Sequence, residues 1–323
     1  MRYFLTFLCL IRCLVASDFD CVIVGTSPFS LFEALYKHRL GHKVLILEQS
    51  GEFGGAWKSI NICGIPHADL GCHTIGSNLD IMYFLRDYAG CQIVSMDDPD
   101  SPLSEQPKGS HGFYFLKGCF ELVHNLVEMI QATDIVCLLN HKVEKIFYNE
   151  ELKQATIRTK NGEFTTDKIV LTSHSCVHLD GAKSGKTPKQ SKYYHLYLLI
   201  QDPTTPRFTY ENGAIPHATR LMNLTRFVDL AHTGRQLIVI QTASEKMLSM
   251  EQSFLDDMKE KELIDPSAYI LKAESYIYES GSLNRALLKD TVAEEIFEVL
   301  QTSNIQSLTN YIEKWKEVLK PCR

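Results

Sequence analysis

No lysine/arginine block occurs anywhere in the 323 residues, and the formal charge is −6 with a pI near 6.1. That excludes a nucleic-acid partner, whose phosphates would have to be neutralised. Uninterrupted apolar runs of the roughly 18 residues needed to cross a bilayer are lacking too, so no membrane span is expected once any leader is removed. Internal repeats and low-complexity tracts are missing, and with them the solenoid and linker classes. A Gly-x-Ser-x-Gly elbow and a Cys/His nucleophile signature are likewise not found. His67 and His73 flank Asp69, but no further His/Cys cluster completes a metal shell.

What is present is a folded chain: 45% hydrophobic against 22% charged residues leaves no segment polar enough to stay disordered. The length suits a nucleotide-binding lobe carrying a second lobe for substrate. The first seventeen residues, with Arg2, an apolar stretch from Tyr3 to Ile11 and small residues at Val15 and Ser17, read as a secretory signal that Arg12 interrupts. The expected address is the secretory lumen or outside, the alternative being the cytoplasm. Of ten cysteines, Cys9 and Cys13 fall in that leader, while Cys21 and Cys137 sit in apolar strand-like runs as small hydrophobes. Cys63 and Cys72 flank a turn and are the one pair placed to form a disulfide. The single sequon, Asn223-Leu224-Thr225, is compatible with secretion.

Periodicity gives a buried strand from Asp20 to Val24, a helix from Pro28 to Arg39 and a second strand from Lys43 to Leu47, which is βαβ grammar. Helical spacing recurs over 79–90 and 118–132, with an Asp/Pro/Ser-rich loop from Asp97 to Ser110 between them. Strands follow at Ile135–Leu139, Val143–Tyr148 and Ala155–Thr159, then an Asn161-Gly162 hairpin turn and a strand from Lys168 to Thr172. The segment His174 to Lys192 reads as a connection. Beyond it strands such as Tyr194–Ile200 and Gln236–Gln241 accompany a polar helix near 251–262, and the chain closes with a strand (Ile296–Leu300) and a helix (Ile305–Leu319).

The chemistry sits in Val24-Gly25-Thr26-Ser27-Pro28-Phe29-Ser30 and in Glu48, twenty-three residues beyond Gly25. In a dinucleotide fold the first glycine makes the tight turn, the second admits the pyrophosphate and the third lets helix pack on strand, while the acidic residue accepts from the ribose diol. Ser27 and Ser30 replace the second and third glycines. Their bulk pushes phosphate outward, so weakened nucleotide binding is expected, although their hydroxyls and the helix N-terminus still offer donors.

A Gly54-Gly55-Ala56-Trp57 loop follows Glu48, and Asp69-Leu70-Gly71-Cys72-His73 follows that. Residues 19–76 thereby resemble the opening of the amine oxidase and protoporphyrinogen oxidase group of FAD enzymes, which includes prenylcysteine oxidases and, more remotely, UDP-galactopyranose mutases and Rab GDP-dissociation inhibitors. The resemblance implies an α/β fold: an FAD/NAD(P)-binding Rossmann-like βαβ domain with an inserted α+β substrate domain. It places Gly54, Gly55, Ala56 and Trp57 close to the cofactor and Asp69, Gly71 and His73 beside the flavin. Phe115 to Leu122 resembles the family's helix entry, with Cys119 where a glycine stands. Val143 resembles the residue whose backbone pairs with adenine, and Asp167 to Thr172 the returning strand. Leu300-Gln301-Thr302-Ser303-Asn304 stands where the family holds the ribityl chain, with Ser303 and Asn304 as N-caps in place of the consensus.

The division implied is a leader (1–17), an FAD-binding βαβ unit with its Gly-Gly loop (18–78), a substrate-lobe insertion (79–117), a continued FAD-binding lobe (118–175), a substrate domain (176–290) and a closing FAD-binding strand and helix (291–323). The implied activity is FAD-dependent oxidation: hydride passes from a small or lipid-like substrate to flavin and then to dioxygen. No acid or base is evident. Tyr194, Tyr197, Phe208, Tyr210, Tyr276 and Tyr278 lie where the family builds its substrate pocket. Two alternatives stand beside the oxidase: a non-catalytic binding module with a protein partner, and a mutase that would use Arg207, Arg220, Arg226, Arg235 or Arg285 for a diphosphate.

Overall fold

A computed structural model of the chain describes residues 17–76, 78–96, 112–172, 175, 177–179, 189–230, 232–282, 296–300 and 309–319. The Asp97–Ser110 loop, Ser303, Asn304, Arg285 and residues 1–16 of the leader lie outside them.

The βαβ unit forms as its pattern dictates. Strand β1 (Phe19–Val24) enters helix α1 (Pro28–Arg39) through Gly25, whose φ of +95° is a conformation that side chains rarely adopt. Pro28 occupies the first helical turn, where its missing N–H costs nothing, and the Ser27 side chain caps the helix by accepting from Ser30 N–H at 3.3 Å. Strand β2 (Val44–Leu47) is buried throughout, the run expected of a parallel strand covered on both faces.

Two hairpins not evident from periodicity follow: β3 (Ser59–Ile62) with β4 (Ile65–Asp69), and β5 (Ile93–Ser95) with β6 (Phe113–Phe115). Around them lie helix α2 (Leu79–Ala89) and helix α3 (Gly118–Gln131). Next come β7 (Val136–Leu138), β8 (Val143–Asn149), β9 (Gln154–Thr159), β10 (Gly162–Thr172) and the short β11 (His178–Leu179). Strand β12 (Lys189–Gln201) starts earlier than the sequence indicates, taking up the end of what reads as a connection. It is followed by β13 (Tyr210–Asn212), β14 (Ala218–Asn223), β15 (Arg235–Thr242), helix α4 (Glu251–Glu260) and β16 (Tyr269–Ser282). Strand β17 (Phe297–Leu300) and helix α5 (Thr309–Val318) close the described chain.

An eight-stranded sheet runs β11-β8-β9-β10-β1-β2-β7, with β17 also on β10. Strand β10 serves two partners in succession: residues 162–166 pair antiparallel with β9, and 169–172 pair parallel with β17. Its other edge pairs parallel with β1. The five-stranded antiparallel sheet runs β13-β14-β15-β12-β16. Its side chains alternate: Tyr197, Leu199, Leu237 and Val239 join the core shared with α1, α2 and α3, while Leu196, Leu198, Ile238 and Ile240 join the core under α4. Both faces of this sheet are covered, and its first face meets the loops of the larger one.

The C-terminal elements are tied to α1 by a buried charge cluster. Glu33, fully buried, accepts from Lys314 Nζ (2.9 Å) and Trp315 Nε1 (2.9 Å), and Glu298 bridges Lys37 and Lys314. Trp315 stacks on Phe32, which packs on Phe84 of α2. Among the described residues no helix is long and apolar enough to cross a membrane.

Two features that the sequence leaves open are decided here. Cys63 and Cys72 are both buried free thiols rather than a disulfide: Cys63 reaches the Tyr197 carbonyl and Cys72 the Val239 carbonyl, each packed against a different strand of the smaller sheet. The sequon asparagine is 2% exposed; its amide donates to Gln236 Oε1 (2.7 Å) and accepts from Thr225 N–H, which leaves no room for a glycan on the folded chain.

Candidate functional site

The separate motifs meet through a residue that sequence reasoning passed over, Thr26. Buried at 1% exposure, it donates both its N–H (3.0 Å) and its hydroxyl (2.7 Å) to Glu48 Oε2. Its carbonyl and Oγ1 in turn accept from Gly54 N–H, each at 3.1 Å. One threonine thus joins the glycine turn, the acidic residue and the Gly-Gly loop. Ser50 N–H supplies Glu48 Oε1 at 2.9 Å, so the carboxylate is held in a fixed pose with Oε2 fully engaged by Thr26 and one lone pair of Oε1 left to offer. A position written x in the motif carries no signal of this kind.

Beside that junction lies a cavity of about 490 Å³, within the roughly 300–1,000 Å³ typical of small-molecule sites. Gly25, Ser27 and Glu48 border it from the βαβ unit; Val143 and Thr172 border it from the returning strands. Gly55, Ala56, Trp57, Gly71 and His73 border it from the two loops. Ser30, Gly54 and Asp69 are not on its wall. Ser30 is buried, its hydroxyl 3.0 Å from that of Ser27; Gly54, at φ +107°, is pressed against Lys58, whose Cα a β-carbon would meet at 2.9 Å.

Asp69 points instead toward the N-terminus of α3. Its Oδ1 accepts from Cys119 N–H (2.8 Å) and Ser59 Oγ (3.2 Å), and its Oδ2 from the Tyr114 hydroxyl. Burial raises its carboxyl to about 7, against the pull of the Cys119 and Ser59 donors. Tyr197 completes the turn, its hydroxyl donating to the Asp69 carbonyl (2.8 Å) and accepting from Gly71 N–H (2.9 Å). Asp69 and Tyr197 therefore hold the loop, and the loop presents Gly71 and His73.

His73 Nε2 lies 2.8 Å from both the Ala56 and Leu70 carbonyls, which fixes its proton on that nitrogen, and its ring stacks on Trp57 at 4.5 Å. Burial lowers its pKa, so the ring is a neutral brace between the two cavity-side loops. Across the cavity stands the smaller sheet, contributing Tyr193, His195, Tyr210, Gln241, Arg220 and Tyr278. Only Tyr210 and Tyr278 of the aromatics singled out in the sequence reach the wall. Tyr197 and Phe208 are core; so are Leu196 and Leu198, strand neighbours whose alternation sends Tyr193 and His195 to the cavity face. His195 is driven down to about 4 by burial, with His73 and Arg220 adding to the effect. A β-carbon on Gly71 would fall 2.8 Å from His195 Nε2, so glycine there is what lets the sheet close on the loop.

This architecture recurs in solved structures. No protein-family sequence profile and no curated protein sequence matches the chain. The cyclohexylamine oxidase of Brevibacterium oxydans superposes with a TM-score of 0.66, covering 94% of this chain and 98% of that one at 12% identity. The chain has the fold of an amine oxidase. A reduced UDP-galactopyranose mutase gives 0.65 at 12% identity over 94% of each chain, and an oxidoreductase from Methanosarcina mazei gives 0.65 at 15% identity over 92% and 99%. At these identities the likeness is one of fold. Within it, the α/β class read from the sequence holds.

Proposed function

We propose that this protein is an FAD-dependent oxidoreductase of amine oxidase-like type, with the cofactor along the βαβ side of the cavity and substrate beneath the five-stranded sheet. The observation that carries the reading is the Thr26 junction, which brings Gly25, Glu48 and the Gly54-Gly55 loop to one wall of a cavity faced by a second sheet. The wall also fits the group. A β-carbon on Gly25 would meet nothing within 4 Å, leaving open space beside the backbone at the N-terminus of α1, where a pyrophosphate is favoured. Glu48 Oε1 keeps a lone pair for a ribose hydroxyl, and Val143 borders the cavity where an adenine edge would lie.

FAD, when bound, supplies the two-electron redox chemistry. The chain's own contribution is positional. Thr26 and Ser50 hold the Glu48 carboxylate toward the ribose, and Ser27 and Phe29 border the phosphate side. Trp57 and His73, stacked, keep the Gly55 and Gly71 loops at fixed separation, and the sheet side chains Tyr193 and His195 cover the site against water. No proton-transfer residue is assigned: His73 and His195 are both pushed toward the neutral ring by burial.

The mutase reading has less support, because of the arginines considered only Arg220 borders the cavity among the described residues, while Arg207 is engaged by Asp265 at 3.6 Å. The binding-module reading is favoured by one fact: Ser27 Oγ takes the Ser30 N–H that a phosphate would otherwise use. Reconstitution with FAD followed by dioxygen-consumption assays over amines, thioethers and unsaturated carboxylic acids tests the oxidoreductase. Reduction of bound flavin by none of them would overturn the oxidoreductase, and failure to take up FAD at all would leave the binding module. The reading extends to a secreted chain whose mature N-terminus lies near Asp18; intact Met1 on protein from a secretory host, by mass spectrometry, would place it in the cytoplasm.

A further inference from the structure

The cavity face of the five-stranded sheet carries a polar rung beside its aromatic and apolar side chains. Tyr276, His195, Gln241 and Arg220 stand directly opposite one another across β16, β12, β15 and β14. On the next rung Tyr197, Val239 and Met222 belong to the core, and Glu274, opposite Tyr197, is engaged by Cys63 N–H (2.8 Å) and Lys272. Arg220 reaches this face through an irregularity in β14. Ala218 pairs with Thr242 and Arg220 with Gln241, so Thr219 is an extra residue, a bulge that reverses the side-chain phase. Ala218 accordingly lies in the core under α4, whereas Met222, also even-numbered, lies in the core on the cavity side. Bulges of this sort re-aim side chains beside functional sites.

The charge environment of Arg220 is one-sided. Cys72, His73, His195 and Tyr210 lie close enough to feel its charge, and all four are neutral near pH 7: burial pushes the Cys72 thiol up to about 12 and both imidazoles down. The two carboxylates on the cavity wall are committed elsewhere. Glu48 is bound by Thr26 and Ser50, and Glu279 pairs with Lys192 at 3.0 Å. Among the described residues Arg220 has no ion pair. A second unmet group stands on the same rung: His195 is 5% exposed and its buried Nδ1 has no hydrogen-bond partner among the described residues, a condition that buried polar atoms rarely tolerate.

We propose that the rung of His195, Gln241 and Arg220 is the head-group subsite for a substrate bearing a carboxylate, so that the cavity selects an organic acid rather than a simple alkylamine. The guanidinium supplies a planar fork matched to carboxylate, and the Gln241 amide a neighbouring donor. An ammonium group placed there would meet a cation and no counter-ion. The inference rests on the reading that substrate enters beneath the sheet.

Matched probes test it: hexanoate, hexyl phosphate and hexylamine, titrated calorimetrically into the purified full chain with and without added FAD. Hexanoate is expected to bind and hexylamine not to. Arg220→Gln should weaken hexanoate about tenfold or more, the loss of one charge-assisted contact, with Arg220→Lys between the two. Arg220 is exposed at the cavity mouth, so the variants are expected to keep the wild-type urea midpoint. Hexylamine binding as tightly as hexanoate, or Arg220→Gln retaining hexanoate affinity, overturns the subsite. Tighter binding of hexyl phosphate overturns the choice of carboxylate. Hexanoate binding without flavin uptake sinks the oxidoreductase alone, and flavin uptake without hexanoate binding sinks this proposal alone.

Discussion

Asp69→Asn should flatten the pH dependence of stability while costing little at low pH. The wild-type carboxyl is 1% exposed and titrates near 7 when folded, against an ordinary 3.8. Between those values the folded chain binds the proton that the unfolded chain has released. The stability it contributes is therefore complete below about 3.8 and is lost as pH rises through about 7. At roughly 1.36 kcal/mol per pH unit that interval is worth on the order of 4 kcal/mol, a large share of a total of about 5–15 kcal/mol. Asparagine keeps an acceptor for Cys119 N–H and Ser59 and cannot ionise, so urea midpoints from pH 5 to 9 should fall for wild type and stay nearly level for the variant. Asp69→Ala strands the Cys119, Ser59 and Tyr114 donors and should cost about 3 kcal/mol or more at pH 5. Parallel pH profiles for wild type and Asp69→Asn would refute the account of this carboxyl.

Thr26→Val keeps shape and backbone but deletes the hydroxyl between Glu48 and Gly54; a loss of about 2 kcal/mol by urea denaturation is expected, together with weaker FAD binding, and an unchanged midpoint would contradict the clamp. Ser27→Gly removes the side chain that takes the Ser30 N–H, so flavin affinity by fluorescence titration should rise while the lost cap costs only a few tenths of a kcal/mol. A fall in affinity would mean that the Ser27 hydroxyl is itself a phosphate ligand.

The first βαβ unit was legible because its signals are local: a glycine at positive φ, a Ser-Pro helix start and a wholly apolar second strand. The loops behind Gly55 and Gly71 were legible through their glycines, which permit close approach whatever the partner. What approaches them was not. His195 reads as one more residue in an apolar strand, and its place over Gly71 follows from a pairing 124 positions away that no local pattern encodes. Arg220 was legible only as one arginine among five, since the bulge that turns it inward depends on the register with β15. Asp69 misled for a related reason: its motif marks the loop correctly, but the carboxylate caps α3, whose start at Gly118 lies forty-nine residues on. Whether Cys63 and Cys72 pair stayed open in the sequence, because sequence proximity says nothing about the two strands against which those thiols pack.

The central claim is that the Thr26–Glu48 junction holds FAD, and a thermal melt with and without FAD, read beside the visible absorption of the purified protein, tests it most directly. Partial yellow occupancy is expected, and FAD at about a hundred times its Kd should stabilise the native state by roughly 2.7 kcal/mol, a rise of several degrees in Tm. Glu48→Ala should abolish that rise, although it also lowers the starting Tm by stranding the Thr26 and Ser50 donors. A colourless protein whose melting curve saturating FAD leaves unmoved would contradict the account and leave the fold as a binding module.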